Sequence, residues 1–180
     1  TTYRQLAQDA VDDAFRRLGR KSPRCSTKDR LLPGARPAPS ALHSADGLPA
    51  ATRRRLEQFY GTRSGAVLAL AAGSPELARV VHGPSGLLAA ELVFAVQVDL
   101  AVTLTDVLAR RVLLAFEPGH GLEVVDDTAA VLGTHLGWDA AQRAEEVADY
   151  RRWLERLAVP DPAGPRSSSF GAGAVGPGRR

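Results

Sequence analysis

Apolar residues recur along this chain at the three- and four-residue spacing of amphipathic helices, and no stretch of useful length alternates as a half-buried strand does. The first such pattern, over residues 2–18, predicts one helix. Thr2 and Gln5 form a capping-box pattern at its start, and Gly19 favours a stop at its end. The apolar side of this helix comprises Tyr3, Leu6, Ala7, Ala10, Val11, Ala14 and Leu18.

From residue 50 to residue 159 the periodicity predicts helices only. Two further capping patterns support this interpretation, Thr103 with Asp106 and Asp139 with Gln142. The predicted helices are 51–60, 64–72, a short helix after Ser74, 86–100, 104–116, 122–136 and a last one from 140, which Pro160 stops. The sequence therefore predicts an all-α fold, a small orthogonal bundle of about six to seven helices, with a long Pro-rich connection after the first helix.

The most apolar stretch, residues 91–116, reads "ELVFAVQVDLAVTLTDVLARRVLLAF". A membrane-spanning helix needs about 20 consecutive apolar residues. The longest uncharged run here is only 92–98, because charged side chains interrupt the stretch at Glu91, Asp99, Asp106, Arg110 and Arg111. The pattern thus argues against a membrane span and favours helices buried inside a domain.

Composition and turn residues divide the chain into four parts. The first helix occupies 1–19, and a Pro-rich basic arm over 20–49 has no apolar period. The helical domain occupies 50–159, and the Gly-, Ser- and Pro-rich tail over 160–180 is expected to be disordered. The chain contains no Met and begins with Thr, which predicts a processed product or a fragment of a longer protein.

Charge is spread unevenly over these parts, although the net charge is only +3. Residues 20–55 contain nine basic and two acidic residues, whereas residues 56–160 contain eight basic and fourteen acidic ones. A basic arm can bind nucleic acid, anionic lipid or an acidic protein surface, and it can equally be a solvated loop.

The sequence contains no complete catalytic constellation. Cys25 is its one cysteine, so an intrachain disulfide is excluded, and no histidine lies near it in the sequence. The four histidines lack the spacing of a helical metal site, and no glycine-rich dinucleotide fingerprint follows a predicted strand. These histidines are His43, His82, His120 and His135. No catalytic residue and no metal ligand is therefore predicted.

Several motifs nevertheless appear in the order found in one family. They are "TTYR" (1–4), "CSTKDRLLPGA" (25–35), "LEQFYGTRSGAVLALA" (56–71), "AELVFAVQVDLAVTLTDVLARRVLLAF" (90–116) and "LGWDAAQRAEEVADY" (136–150). Together they resemble the C-terminal part of FAD-dependent glycerol-3-phosphate dehydrogenases of the bacterial aerobic type. The stretch over 90–116 is the most specific match, being similar to the family's "AEVVYAVRHEMARTLEDVLARRTRLLF".

The resemblance implies a non-catalytic helical cap domain that packs on the FAD and substrate domains of the same chain. The parent enzyme would oxidise sn-glycerol 3-phosphate to dihydroxyacetone phosphate, with electrons passing from FAD to quinone, or to oxygen in oxidase relatives. It would be cytoplasmic, with association to the inner face of the membrane and homo-oligomerisation left open. The chain alone is expected to carry no cofactor and to be inactive.

The resemblance also assigns roles to residues. Thr1 and Thr2 would contact FAD in the full-length protein, although Thr2 can equally be only a helix cap. In the 91–116 helix pair, Leu92, Val93 and Val96 would fill the core.

Arg110 and Arg111 would face the partner domain, or Arg110 would pair with Asp106 on a solvated face. Phe94, Gln97 and Val102 replace polar family residues, which would alter docking if those residues contact the FAD domain.

A rival interpretation comes from the basic arm. In it, the chain is an independent helical module that binds nucleic acid or another acidic partner. Against it, the helical body is acidic and no helix-turn-helix pattern includes a basic recognition helix. No nucleic-acid partner is therefore expected, and a flavin domain encoded upstream of Thr1 would discriminate between the two.

Overall fold

The computed structural model describes residues 2–35 and 47–157. Thr1, residues 36–46 and residues 158–180 lie outside this part. The expectations for Thr1, His43 and the tail over 160–180 fall on those positions.

Helices dominate the described chain, which confirms the all-α class predicted from the periodicity. Three short 3₁₀ segments, Gly61–Arg63, Leu114–Phe116 and Leu122–Val124, connect some of them. The other elements are α1 (Thr2–Arg17), α2 (Ala50–Tyr60), α3 (Ser64–Gly73), α4 (Pro75–Ala78), β1 (Val80–His82), β2 (Leu87–Leu88), α5 (Ala89–Gln97), a π-helix (Asp106–Arg111), α6 (Val125–Leu136) and α7 (Ala140–Glu155).

A small antiparallel hairpin corrects the expectation of helices only after residue 50. Strands β1 and β2 pair Val80 with Leu88 and His82 with Leu87. The turn between them contains Gly86 at a φ of +70°, a conformation that glycine adopts without a Cβ clash. The helix predicted over 86–100 therefore begins only at α5, because the two leucines before it belong to the sheet.

Left-handed residues interrupt the apolar stretch over 91–116. Leu100 adopts a φ of 58° after α5, and Leu113 adopts a φ of 60° after the π-helix. The helix predicted over 104–116 thus widens into a π-helix over Asp106–Arg111 and ends before residue 116. Neither break contains glycine or proline, so neither is signalled in the sequence.

Two of the three predicted caps form as expected. Asp106 accepts hydrogen bonds from the Val102 and Thr103 amides at 3.2 and 3.1 Å, and its own amide donates to the Thr103 hydroxyl at 3.0 Å. Partial burial raises the pKa of Asp106, but these bonds and the Arg110 charge hold it below its ordinary value. The Asp139 carboxylate accepts from the Gln142 amide at 2.8 Å.

The third predicted cap differs. Thr2 is the first residue of α1 itself, and the Gln5 amide group donates to Asp9 at 2.8 Å along the helix.

Helix α5 lies between two hydrophobic cores. Leu92 packs into the larger core with side chains of the π-helix, α6 and α7, whereas Phe94 packs into the smaller one with α2, α3 and β2. Leu92 and Val93 are fully buried as predicted, and Val96 is half-buried against the larger core. Helix α5 is therefore the central element that joins the two halves of the body.

Helix α1 lies outside both cores, and none of its residues is buried. Much of its predicted apolar side is exposed, including Tyr3, Leu6, Val11 and Leu18. In the arm that follows, Gly34 approaches the body so closely that a Cβ there would lie 2.7 Å from the Tyr60 carbonyl oxygen. The arm thus reaches the body at the end of α2.

Candidate functional site

A buried ion pair lies where α2 and α5 meet. Arg55 Nε donates to Glu91 Oε2 at 2.8 Å, and the Arg55 guanidinium also donates to the Val112 carbonyl at 2.8 Å. The second Glu91 oxygen accepts from the Leu88 amide at 2.9 Å, at the start of α5. Burial raises the pKa of Glu91, while the Arg55 charge and the Leu88 amide oppose that rise. This pair joins α2, α5 and the segment after the π-helix, so its role is structural.

An aromatic and cationic stack extends from that pair towards the surface. The Phe94 ring meets Tyr60 edge to face at a centroid distance of 5.5 Å, and the Arg63 guanidinium lies 4.7 Å from the Phe94 ring centroid. Arg63 also pairs with Asp99 at 2.7 Å. Phe94 is only 1% exposed, so it does not face a partner domain, whereas Gln97 and Val102 are exposed.

A serine, a histidine and a glutamate form a hydrogen-bonded relay that the sequence analysis missed. His82 Nδ1 lies 2.7 Å from the Ser85 hydroxyl, and His82 Nε2 lies 2.9 Å from a Glu123 oxygen. The Ser85 amide also donates to Nδ1 at 3.3 Å, which closes the hairpin turn. The only sequence feature that points to this group of side chains is the turn "HGPSG" (82–86), which contains the histidine and the serine. Through its contact with Glu123, the buried imidazole of His82 connects the hairpin to the segment before α6.

The remaining polar candidates lie apart. The Thr27 hydroxyl, 3.2 Å from Cys25 Sγ, lowers the pKa of that thiol, and the two residues lie in the arm beside α1. His120 Nδ1 lies 2.7 Å from the Ala115 carbonyl oxygen, and His135 is exposed on α6. Within residues 2–35 and 47–157, no three His, Cys, Asp or Glu side chains are placed to hold a metal ion.

The predicted flavin-contacting threonines are only partly described. Thr2 is exposed at the start of α1, a position where backbone N–H groups have no partner within the helix. No acidic residue occupies this first turn, and Arg4 turns away from it to donate to the Thr27 carbonyl in the arm. An anionic group can therefore approach the start of α1.

Arg110 and Arg111 form different contacts. Arg110 pairs with Asp106 four residues earlier, as the intrahelical interpretation predicted, and remains exposed. Arg111 instead donates to the Asp99 carbonyl at 3.0 Å. No helix in the described part of the chain is long and apolar enough to cross a membrane.

Comparison with known proteins identifies the relatives of this chain. A glycerol-3-phosphate dehydrogenase from Synechocystis sp. is 33% identical over 167 residues, which are 89% of this chain and 30% of that protein. Glycerol-3-phosphate dehydrogenase 2 from Mycobacterium bovis is 34% identical over 163 residues, or 86% of this chain and 28% of that protein. A probable mitochondrial glycerol-3-phosphate dehydrogenase from Caenorhabditis elegans is 30% identical over 165 residues, 86% of this chain and 23% of its own length. No solved structure matches the chain.

The relatives are thus more than three times longer than the part that this chain matches. The family match itself covers residues 25–143, from the arm to the start of α7. It includes the smaller core, the buried ion pair, the relay and most of the larger core, whose Val147 and Tyr150 lie beyond it. The chain belongs to the family described as the C-terminal domain of alpha-glycerophosphate oxidase.

Proposed function

We propose that this chain is the non-catalytic helical cap of an FAD-dependent sn-glycerol-3-phosphate dehydrogenase. One observation carries the proposal: residues 25–143 match the C-terminal domain family, while the named dehydrogenases extend far beyond the matched part. The parent enzyme oxidises glycerol 3-phosphate to dihydroxyacetone phosphate and passes the electrons from FAD to quinone.

Two features of the described residues support an accessory role. The buried charged or titratable groups of the body are paired with one another or with nearby side chains, as in the Arg55–Glu91 pair and the contact of His82 with Glu123. Helix α1 carries an unburied apolar side, and a helix of this kind gains its stability from packing on another surface. The FAD and substrate domains of the same chain are the partners that we propose for it.

The rival function, a module that binds nucleic acid, is weakened by one residue of the basic region. Arg55 is buried against Glu91 and is not available to a phosphate. The basic groups around it are Arg53 and Arg54, both exposed on α2. Because the remaining body is acidic, the charge distribution favours a protein surface as the partner.

We place the parent enzyme in the cytoplasm, at the inner face of the membrane where quinone is available.

The proposal is tested with the full-length gene product and the 180-residue chain, purified in parallel. We expect the full-length product to carry FAD and to reduce a quinone analogue when glycerol 3-phosphate is added. The chain alone should show no flavin absorbance and no such activity, because the flavin domain is the part that it lacks. Flavin bound to the chain alone, or a full-length product without flavin, would contradict the proposal.

A second prediction concerns Thr1 and Thr2 in the full-length enzyme. Reduced flavin is anionic, and hydroxyls and N–H groups at the start of α1 would stabilise that charge. Replacing both threonines by valine should lower the flavin reduction potential by about 30 mV, which for two electrons corresponds to about 1.4 kcal/mol. The measurement is a spectroscopic redox titration with FAD still bound.

Thr134→Val serves as the matched control, because that hydroxyl lies on α6 and bonds only to the Ala130 carbonyl at 3.2 Å. We expect this control to leave the flavin potential unchanged. If the double variant loses thermal stability but keeps the wild-type potential, Thr2 acts only as part of the helix start.

A further inference from the structure

Two exposed leucines hold an unfavourable backbone conformation. Leu100, with φ 58°, is 78% exposed, and Leu113, with φ 60°, is 40% exposed. A left-handed conformation brings Cβ too close to the following carbonyl oxygen, so leucine rarely occupies it. Leu100 gains little compensating burial within the described residues, and Leu113 is only partly covered. Strain of this kind persists where the surrounding structure enforces it, and it is concentrated at functional surfaces.

A hydrogen bond connects the two backbone segments that contain these leucines. The Arg111 guanidinium, two residues before Leu113, donates to the carbonyl of Asp99, which immediately precedes Leu100. Exposed Val98 and Val102 flank Leu100 on either side, and the segment between the two leucines contains the π-helix. Single-turn π-helices are frequent at functional sites. We call Val98, Leu100, Val102, Arg111 and Leu113 the leucine surface.

Arg111 is the one cation of this surface, and it keeps unused donors. The nearby carboxylates are already paired, Asp99 with Arg63 and Asp106 with Arg110. Among the described residues no carboxylate forms an ion pair with Arg111, whose planar guanidinium has five N–H donors. A matching partner surface is therefore apolar and presents a carboxylate to this arginine.

The place where the arm joins the body indicates which partner that is. A Cβ at Gly34 would lie 3.7 Å from the Arg63 side chain, and Arg63 is paired with Asp99 beside Leu100. The arm, which arrives from α1, thus meets the body next to the leucine surface. Arg4, in the first turn of α1, donates to the Thr27 carbonyl of the arm, seven residues before Gly34. A part of the protein that precedes α1 is therefore tethered to this body by the arm, which raises its effective concentration there.

We propose that the flavin-bearing part of the full-length enzyme docks on the leucine surface, with a carboxylate of that part paired with Arg111. The proposal rests on the proposed function, since it names a second surface, besides the apolar side of α1, through which the cap would dock. The strain at Leu100 and Leu113 is then retained because both side chains become buried in the assembled protein.

The first test uses the 180-residue chain, in which the leucine surface is uncovered. Asparagine tolerates the left-handed region better than leucine does. Leu100→Asn, at the more exposed of the two leucines, should raise the melting temperature of this chain by about 2–4 °C. A fall in melting temperature would overturn the idea that the leucines are strained for a role outside this chain.

The second test measures amide hydrogen exchange in the full-length product and in the 180-residue chain. We expect amides of residues 98–102 and 111–116 to exchange at least about tenfold more slowly in the full-length product. The Leu100→Asn, Leu113→Asn variant should lose that added protection, and Arg111→Gln should lose part of it. Helix α4 serves as the internal reference, with equal exchange in both proteins.

Leu157→Asn is the matched control, because Leu157 is a comparably exposed leucine after α7 and lies outside the leucine surface. It should keep the added protection. Equal exchange of residues 98–116 in the two proteins would overturn the docking proposal even if the full-length product binds FAD and is active. Dimerisation of the 180-residue chain that Leu100→Asn abolishes would overturn it too, because the occupant is then a second copy.

Discussion

Gly86→Ala is expected to lower the free energy of unfolding of the helical body by about 2–5 kcal/mol. A Cβ at Gly86 would lie 2.6 Å from the Ala51 carbonyl carbon and 2.8 Å from Thr52 Cα. Both are backbone atoms of α2, so no rotamer change relieves the clash. The φ of +70° adds the cost of a left-handed alanine. The turn and α2 must therefore separate, and the hairpin loses its contact with the smaller core.

Gly83→Ala is the matched control in the same turn. Its Cβ would meet no atom within 4 Å, and its φ is not in the left-handed region. Urea denaturation followed by circular dichroism should give the Gly83 variant a stability within about 0.5–1 kcal/mol of the unsubstituted chain. Equal effects of the two substitutions would show that α2 does not lie against the turn as described.

Glu91→Gln is expected to cost about 3–5 kcal/mol at neutral pH, the range observed when one partner of a buried ion pair is removed. The substitution keeps the shape of the side chain but leaves the Arg55 guanidinium buried without a counter-charge. Arg55 cannot turn to water easily, because it also donates to the Val112 carbonyl and lies 4.3 Å from the Phe59 ring centroid. The same urea denaturation measures this loss.

An exposed pair provides the comparison. Arg79 donates two hydrogen bonds to Asp127, at 2.6 and 2.7 Å, but both side chains are in contact with solvent. Asp127→Asn should therefore cost at most about 1 kcal/mol despite this good geometry. If Glu91→Gln proved as mild as Asp127→Asn, water would have to reach the Arg55–Glu91 pair, contrary to its burial.

Arg55 and Glu91 matter for docking because they hold the backbone segments that shape the surface a partner would meet. Arg55 bonds to the carbonyl of Val112, the residue before Leu113, and Glu91 anchors the start of α5, whose end leads to Leu100. The ion pair thus holds two backbone segments that lead into the leucine surface. A change at Glu91 is expected to disturb docking through the position of these backbone segments.

Local physical chemistry explains what the sequence by itself determined. Apolar spacing identified α1, α2, α3, α6 and α7 because helix periodicity repeats within a few residues. The Thr103–Asp106 and Asp139–Gln142 caps formed because their donors and acceptors lie three residues apart and need no other part of the chain. Motif order also identified the family, since those motifs depend on the sequence alone.

Only the tertiary structure decided features that join distant residues. Arg55 and Glu91 are separated by 36 positions, so no local pattern reveals that they neutralise each other or that Arg55 is lost from the basic region. The His82 relay depends on Glu123, which only the packing of the hairpin against the segment before α6 brings near.

The left-handed conformations of Leu100 and Leu113 likewise depend on the tertiary structure. Leucine has no intrinsic preference for that conformation, and nothing local marks either position as a break. Packing on both sides of α5 and the Arg111–Asp99 contact hold the backbone there. The helical class was therefore readable from short-range spacing, whereas the leucine surface exists only because long-range contacts override local preference.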